Sequence, residues 1–178
     1  MAARQANGDF ILQAVSIFPG VLILATFLTS LVAGFLFAFA VVAMPGISTL
    51  SDRDFIKAFQ AMDRVIQNNQ PLFVLVWVGS IVVIVIAALF GFFQLAGSER
   101  ALLMLATFLY LFGVQLPTIT INVPLNNKLQ TLSVSNLDET TLQKERLVFE
   151  PRWNRWNSIR TAVACLASAL LMLLLLIT

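Results

Sequence analysis

From residue 72 to residue 123 the chain reads LFVLVWVGSIVVIVIAALFGFFQLA (72–96), GSER (97–100), ALLMLATFLYLFGVQLPTITINV (101–123). Each long block is charge-free, mostly apolar and longer than the roughly 20 residues that carry an α-helix across a bilayer of about 30 Å. The four residues between them are too few for anything but a tight polar turn, so the blocks predict two antiparallel neighbouring spans. Two further apolar stretches, Val21–Val42 and Thr161–Ile177, complete the pattern. The expectation is an all-α, four-transmembrane-helix antiparallel bundle, one integral membrane domain over residues 1–178. Its spans fall at about 21–43, 72–96, 101–123 and 159–177, with loops at 44–71 and 124–158.

The composition agrees. Of 178 residues, 59% are apolar and 11% charged, against roughly 45–50% and 25% for soluble domains. There is no His and a single Cys, Cys165, which excludes bis-His haem, His-ligated zinc or copper, a Ser-His-Asp triad, cysteine clusters and an internal disulfide. No cofactor is implied. Cys165, inside the fourth span, reads as a small buried apolar residue. The first apolar stretch exceeds a signal-peptide core and no small-residue cleavage site follows, so it reads as an anchor that stays.

Lys and Arg set the orientation. Arg4 and Arg100 flank the spans on one side, whereas Arg53, Lys57, Arg64, Lys128, Lys144, Arg146, Arg152, Arg155 and Arg160 lie on the other. The excess predicts that both long loops are cytoplasmic and both termini are not, in a multi-pass protein of the cell membrane. Asp9 beside Arg4, and Asp52, Asp54 and Asp63 in the first loop, weigh little in this rule.

Within the first loop, Ser51 and Asp54 form an S-x-x-D helix start, and Phe55, Phe59, Met62 and Ile66 recur with helical period. This predicts an amphipathic surface helix over about 52–66, lying on the membrane or capping the bundle. Residues 128–150 read as a polar loop with one short helix near 139–145. No phosphate loop, repeat or low-complexity tract is present.

Candidate site residues follow from geometry. Antiparallel spans bring four polar ends together: Met44-Pro45-Gly46, Asn68–Pro71, Asn122–Asn127 and Trp153–Asn157. On span three, Gln115, Thr118 and Asn122 fall at i, i+3 and i+7, a polar stripe beside Pro117 that must face protein or water. It serves either as interhelical glue or as a set of hydrogen-bond partners for a ligand. Pro124 reads as the terminator of that helix.

Pro151 suits a first helical turn. On the wheel that follows, Trp153, Trp156, Asn157 and Arg160 share one face, and Arg155 lies opposite. Arg152 and Arg155 read as cations snorkelling to lipid, and Arg160 as the one able to grip an anion. Asp63, and with it Glu150, is either a solvated carboxylate, Asp63 pairing with Lys57 or Arg64, or a general base at the pocket mouth.

Three blocks carry a family resemblance: Met44-Pro45-Gly46, Thr120-Ile-Asn-Val-Pro-Leu-Asn-Asn127, and Arg152-Trp-Asn-Arg-Trp-Asn-Ser-Ile-Arg160-Thr-Ala. From about Gly34 onward the chain resembles the anthrone-oxygenase-like family of small four-helix membrane proteins. The resemblance implies a four-helix bundle and, as in characterised fungal relatives, oxidation of an anthrone to an anthraquinone by O2 without metal or flavin. It carries over no catalytic residues.

That monooxygenase chemistry needs an aromatic slot, an anion hole and a base. The expected roles are Trp153 and Trp156 for the slot, Arg160 and Asn122 for the anion hole, Asp63 for the base, and Asn157, Gln115, Thr118 and Asn126 for further substrate contacts. The competing class is a non-enzymatic membrane protein, a small subunit of a larger assembly or a lipid- or ligand-binding module. Ser30, Gly34 and Ala38 on span one and Gly79, Ala87 and Gly91 on span two would let helices approach closely within one bundle, in a homo-oligomer or in a larger complex. The expected partners are membrane lipids and a hydrophobic aromatic small molecule, with no nucleic acid. A transporter fits less well, because spans two and three bury no charge.

Overall fold

The computed structural model describes residues 17–178 in full and, of residues 2–16, the backbone alone. The side chains of Arg4 and Asp9, which enter the charge count, therefore lie outside the described residues. Among the described residues every regular element is helical: α1 (Ala2–Ala38), α2 (Met44–Ser48), α3 (Asp52–Gln67), α4 (Pro71–Gln94), α5 (Gly97–Phe108), α6 (Val123–Gln130) and α7 (Glu139–Ile177). Four stretches of the described residues are long and apolar enough to cross a membrane: Ile17–Ser48, Pro71–Gln94, Gly97–Gln130 and Glu139–Ile177. The chain is an all-α integral membrane protein.

Local chemistry sets the boundaries. The Ser51 hydroxyl accepts from the Asp54 backbone N–H and donates to the Asp54 carboxylate, starting α3 as the S-x-x-D pattern predicts. The Gln70 side chain caps the N–H of Phe73, and Pro71 takes the first position of α4, where its missing N–H costs nothing. Between α4 and α5 the chain reverses at Gly97, whose φ of +49° suits a residue without Cβ. Arg100 donates from Nε and Nη2 to the Leu95 carbonyl there.

Three expectations about helix ends are corrected. The first and third spans run on through Pro45 and Pro124, so Pro124 does not terminate its helix. Ahead of each proline the backbone widens into a π turn, Phe39–Ala43 and Thr118–Asn122, closed by i→i+5 bonds from Met44 N–H to Phe39 O and from Val123 N–H to Thr118 O. The wider turn makes room for a proline ring that would clash with the carbonyl four residues back. Pro117 follows a third π turn, Leu109–Gln115. Residues 128–150 are mostly helix rather than loop, since α7 starts at Glu139, where Asp138 accepts the Thr141 N–H at 2.7 Å. Pro151 thus sits inside α7 and not at its start.

The core has two parts. Along the spans, Leu22, Ala25, Leu36, Ile84, Leu103, Tyr110, Ala164 and Leu171 pack together. At one end, α3 caps the bundle through Phe55, Ile56 and Phe59, which meet Leu129, Leu142, Phe149 and Trp153; Met62, predicted on the same stripe, is half-buried. Arg146 binds the cap together, pairing with Asp52 at 3.0 Å and Glu150 at 2.7 Å and stacking on Phe55. Glu150 is therefore a structural ion-pair partner and not a pocket carboxylate.

Of the small residues, Ala87 and Gly91 face inward, and a Cβ on Gly91 would clash with Leu103 Cδ2. Gly34 and Ala38 face outward. So does Cys165, expected in the core; its helix turns that position to the outer surface. Apolar side chains such as Phe27, Leu75, Leu89, Phe93 and Leu176 cover the outside, the surface a lipid environment demands.

Candidate functional site

Between the two parts of the core lies a cavity of about 310 Å³. It is about twice the ~150 Å³ cavity that holds one benzene, so it has room for a small fused-ring system. Span three lines one wall with Gln115, Thr118 and Asn122, all buried on the predicted face. The two π turns that carry this stripe are the kind of helix distortion that concentrates at functional sites.

On α7, Trp153, Asn157 and Arg160 line the adjoining wall. Because α7 continues unbroken through Pro151, the helical wheel holds whichever residue starts it. Arg160 is only 3% exposed. Its Nη1 donates to Thr118 Oγ1 at 2.8 Å and its Nη2 to Asn157 Oδ1 at 3.0 Å. Both acceptors are themselves oriented: Thr118 donates to the Val114 carbonyl and Asn157 to the Leu36 carbonyl. The Trp153 ring lies 6.0 Å from the guanidinium, at the edge of cation–π range. No described carboxylate pairs with Arg160. A guanidinium taken out of water carries a penalty of several kcal/mol that neutral acceptors offset only in part, so the site is electrostatically incomplete and suited to an anion.

The unpaired atoms repeat that message. Seven buried side-chain polar atoms lack a partner among the described residues, and four of them are Gln115 Nε2, Gln115 Oε1, Asn122 Oδ1 and Arg160 Nε, all on residues of this cavity. Buried polar groups are rarely left so unless a ligand or water serves them. Asn122 Nδ2 donates to the Trp153 carbonyl, which leaves its acceptor Oδ1 for a ligand. Arg160 Nε is the free donor, and the Gln115 amide lies beside the Tyr110 hydroxyl.

Asp63 lines the cavity from α3 and is 4% exposed. The solvated alternative is thereby corrected: it pairs with neither Lys57 nor Arg64 but accepts from Asn126 at 2.8 Å, Gln67 at 2.6 Å and Gln130 at 3.0 Å. A carboxylate has about four acceptor positions, so one remains, on Oδ1. Asn126 in turn accepts from Trp153 Nε1 at 2.8 Å and also lines the cavity.

Of the nine residues singled out from the sequence, the cavity gathers Arg160, Asn122, Asp63, Trp153, Asn157, Gln115, Thr118 and Asn126. Trp156 is left out. It is half-buried at the flank of the α7 face, one helical step from Asn157 and on the far side of Arg160 on the wheel. Arg155 is exposed.

An aromatic wall was missed by the sequence reading. Phe35 and Phe39 from α1 and its π turn, Phe59 from α3, and Phe73 and Trp77 from α4 line the remaining side. Phe73 and Trp77 stack at 5.2 Å, and Phe35 packs edge-on to both. The signal was present as two i, i+4 aromatic pairs, Phe35/Phe39 and Phe73/Trp77, each beside a polar helix end.

A family model described as anthrone oxygenase matches residues 71–170, more than half of the chain, and the chain belongs to that family. The match contains Gln115, Thr118, Asn122, Asn126, Trp153, Asn157 and Arg160, while Asp63 and the aromatic residues of α1 and α3 lie outside it. No curated protein and no solved structure matches the chain.

Proposed function

We propose that this protein is a cofactor-independent oxygenase that converts an anthrone-like polycyclic aromatic ketone to a quinone with O2. The observation that carries this reading is the buried Arg160, without a carboxylate partner and with Nε free, facing an aromatic-walled cavity. A flat ketone fits between Trp153 and the Phe73–Trp77 stack. The oxygen that becomes an enolate lies against the free Nε donor of Arg160, beside the Gln115 amide, where a developing negative charge is worth most. Asn122 Oδ1 accepts a phenolic O–H.

The chemistry balances without a further redox partner. Asp63 removes a proton from the ring methylene through its remaining Oδ1 position. The enolate passes one electron to O2, the radical pair combines into a peroxide anion at that carbon, and the proton held by Asp63 returns to it to give the hydroperoxide. Loss of water across the C–H and O–O bonds leaves the second carbonyl, so one oxygen atom enters the quinone and the other leaves as water. The Lys and Arg excess around α3, α6 and the start of α7 supports a cytoplasmic placement of the cavity end.

One observation favours a second reading, a ligand-binding module without turnover: three donors already occupy Asp63. The two separate in one experiment. Purified protein in lipid nanodiscs, given an anthrone in an oxygen electrode, should take up O2 faster than the uncatalysed autoxidation, and Asp63→Asn should lose that excess while still binding an anthraquinone. Uptake no faster than autoxidation, with binding intact, would leave the binding module.

A further inference from the structure

The cavity is not sealed, and the side on which it opens follows from how the helices pair. Its cytoplasmic roof is closed by hydrogen bonds from α3 to the end of span three: Gln60 Nε2 to the Leu129 carbonyl, Gln130 Nε2 to the Gln60 carbonyl, and Asn126 and Gln130 to Asp63. The α1 and α7 walls pack against each other. The α4 helix packs closely on α1 and α5, and Ser80 Oγ meets Tyr110 Oη at 2.6 Å. From that level to the roof, α4 and span three both line the cavity.

Two apolar stripes flank this part of the cavity. Phe73, Trp77 and Ile81 on α4 and Ile119 and Val123 on span three all line the cavity. Ile119 is nevertheless 64% exposed and Val123 40% exposed on the outer surface. Ile81 lies ten residues into α4, about 15 Å along its axis, which is hydrocarbon depth. A side chain that is part of the cavity wall and also of the lipid-facing surface marks an opening between the two.

We propose that this gap is a portal to the bilayer, and that the ligand is an apolar, ring-bearing compound dissolved in the membrane that enters between α4 and span three rather than from water. The inference rests on the reading of the cavity as a ligand site, but not on the oxygenase chemistry. An apolar flank guides such a ring system inward, and its polar edge meets Arg160 only after it has passed Ile119.

Hydrophobic photolabelling tests it without any substrate. A small aryl diazirine dissolved in proteoliposome bilayers yields a carbene on illumination, and the sites it modifies are mapped by mass spectrometry. The wild-type protein should be labelled on its outward-facing Leu116 and also on Leu36 and Gln115, which are buried and reachable only through the cavity. Ile119→Trp, or Val123→Trp if the first variant does not fold, should lose the labels inside while keeping that on Leu116. Leu116 labelled with Leu36 and Gln115 untouched would overturn the proposal, as would labelling of Leu36 and Gln115 by a water-soluble diazirine. An added anthraquinone should suppress the inner labels; inner labels that persist beside it would count against the anthrone reading and leave the portal standing.

Discussion

Replacing Arg160 by methionine separates a residue held for function from one held for structure. Its side chain is buried, makes two hydrogen bonds to neutral acceptors and has no described carboxylate partner. Removing it leaves Asn157 Oδ1 without a donor and takes one of the two hydrogen bonds of Thr118 Oγ1, a cost of about 1–3 kcal/mol for each group that water does not reach. It also relieves the desolvation of an uncompensated charge, which is several kcal/mol. The two roughly cancel, so the Arg160→Met protein should unfold at or above the wild-type temperature.

Binding behaves differently. A hydrogen bond between the guanidinium and an anionic oxygen contributes about 1.5–3 kcal/mol, so affinity for a hydroxyanthraquinone should fall roughly 10- to 150-fold. Quenching of Trp fluorescence by the quinone in nanodiscs gives the affinity, and a thermal melt of the same sample gives the stability. Arg155→Ala, on an exposed position, should change neither. A large loss of thermal stability in Arg160→Met with unchanged affinity would refute the reasoning, and so would equal affinity losses in the two variants.

Other consequences concern the scaffold. Gly91→Val should destabilise the α4–α5 hairpin by about 1–3 kcal/mol, because its Cβ has no room beside Leu103; Gly34→Val, with open space around it, should leave the melting temperature unchanged. Ser98→Cys in a Cys165→Ser background should react with an impermeant thiol reagent from outside intact cells, and reaction only after permeabilisation would invert the proposed orientation. The Asp138 carboxyl is held below its ordinary pKa, first by the Thr141 backbone N–H and then by the Thr141 hydroxyl. A depressed native value means that the cap is fully present above the unfolded pKa and fades as pH falls through the native one. Protection of the Thr141 amide against hydrogen exchange should weaken over that acidic window, and Asp138→Ala should lose it at neutral pH.

The spans were legible because hydropathy and helix length respond to the same bilayer thickness, and the grouping of Gln115, Thr118 and Asn122 followed from period alone. The Arg160 face was legible too, since its register on α7 does not depend on where the helix begins. The helix ends were not. A proline reads as a stop in isolation, and only the π turns before Pro45 and Pro124 let those helices continue. Asp63 defeated the sequence for another reason: its partners Asn126 and Gln130 lie more than 60 residues away, so nothing local distinguishes it from a solvated helix-face acid. Trp156 and Cys165 show the coarseness of a helical wheel and of a hydrophobic span, neither of which says how wide the packed face is.

The most direct measurement is isotopic. Protein in nanodiscs supplied with an anthrone under 18O2 should release a quinone carrying one labelled oxygen, with one O2 consumed for each quinone formed, at a rate above that of nanodiscs alone. Arg160→Met should bring that rate down to the uncatalysed one. Labelled quinone formed no faster than in empty nanodiscs, or formed as fast by Arg160→Met as by the wild type, would contradict the account.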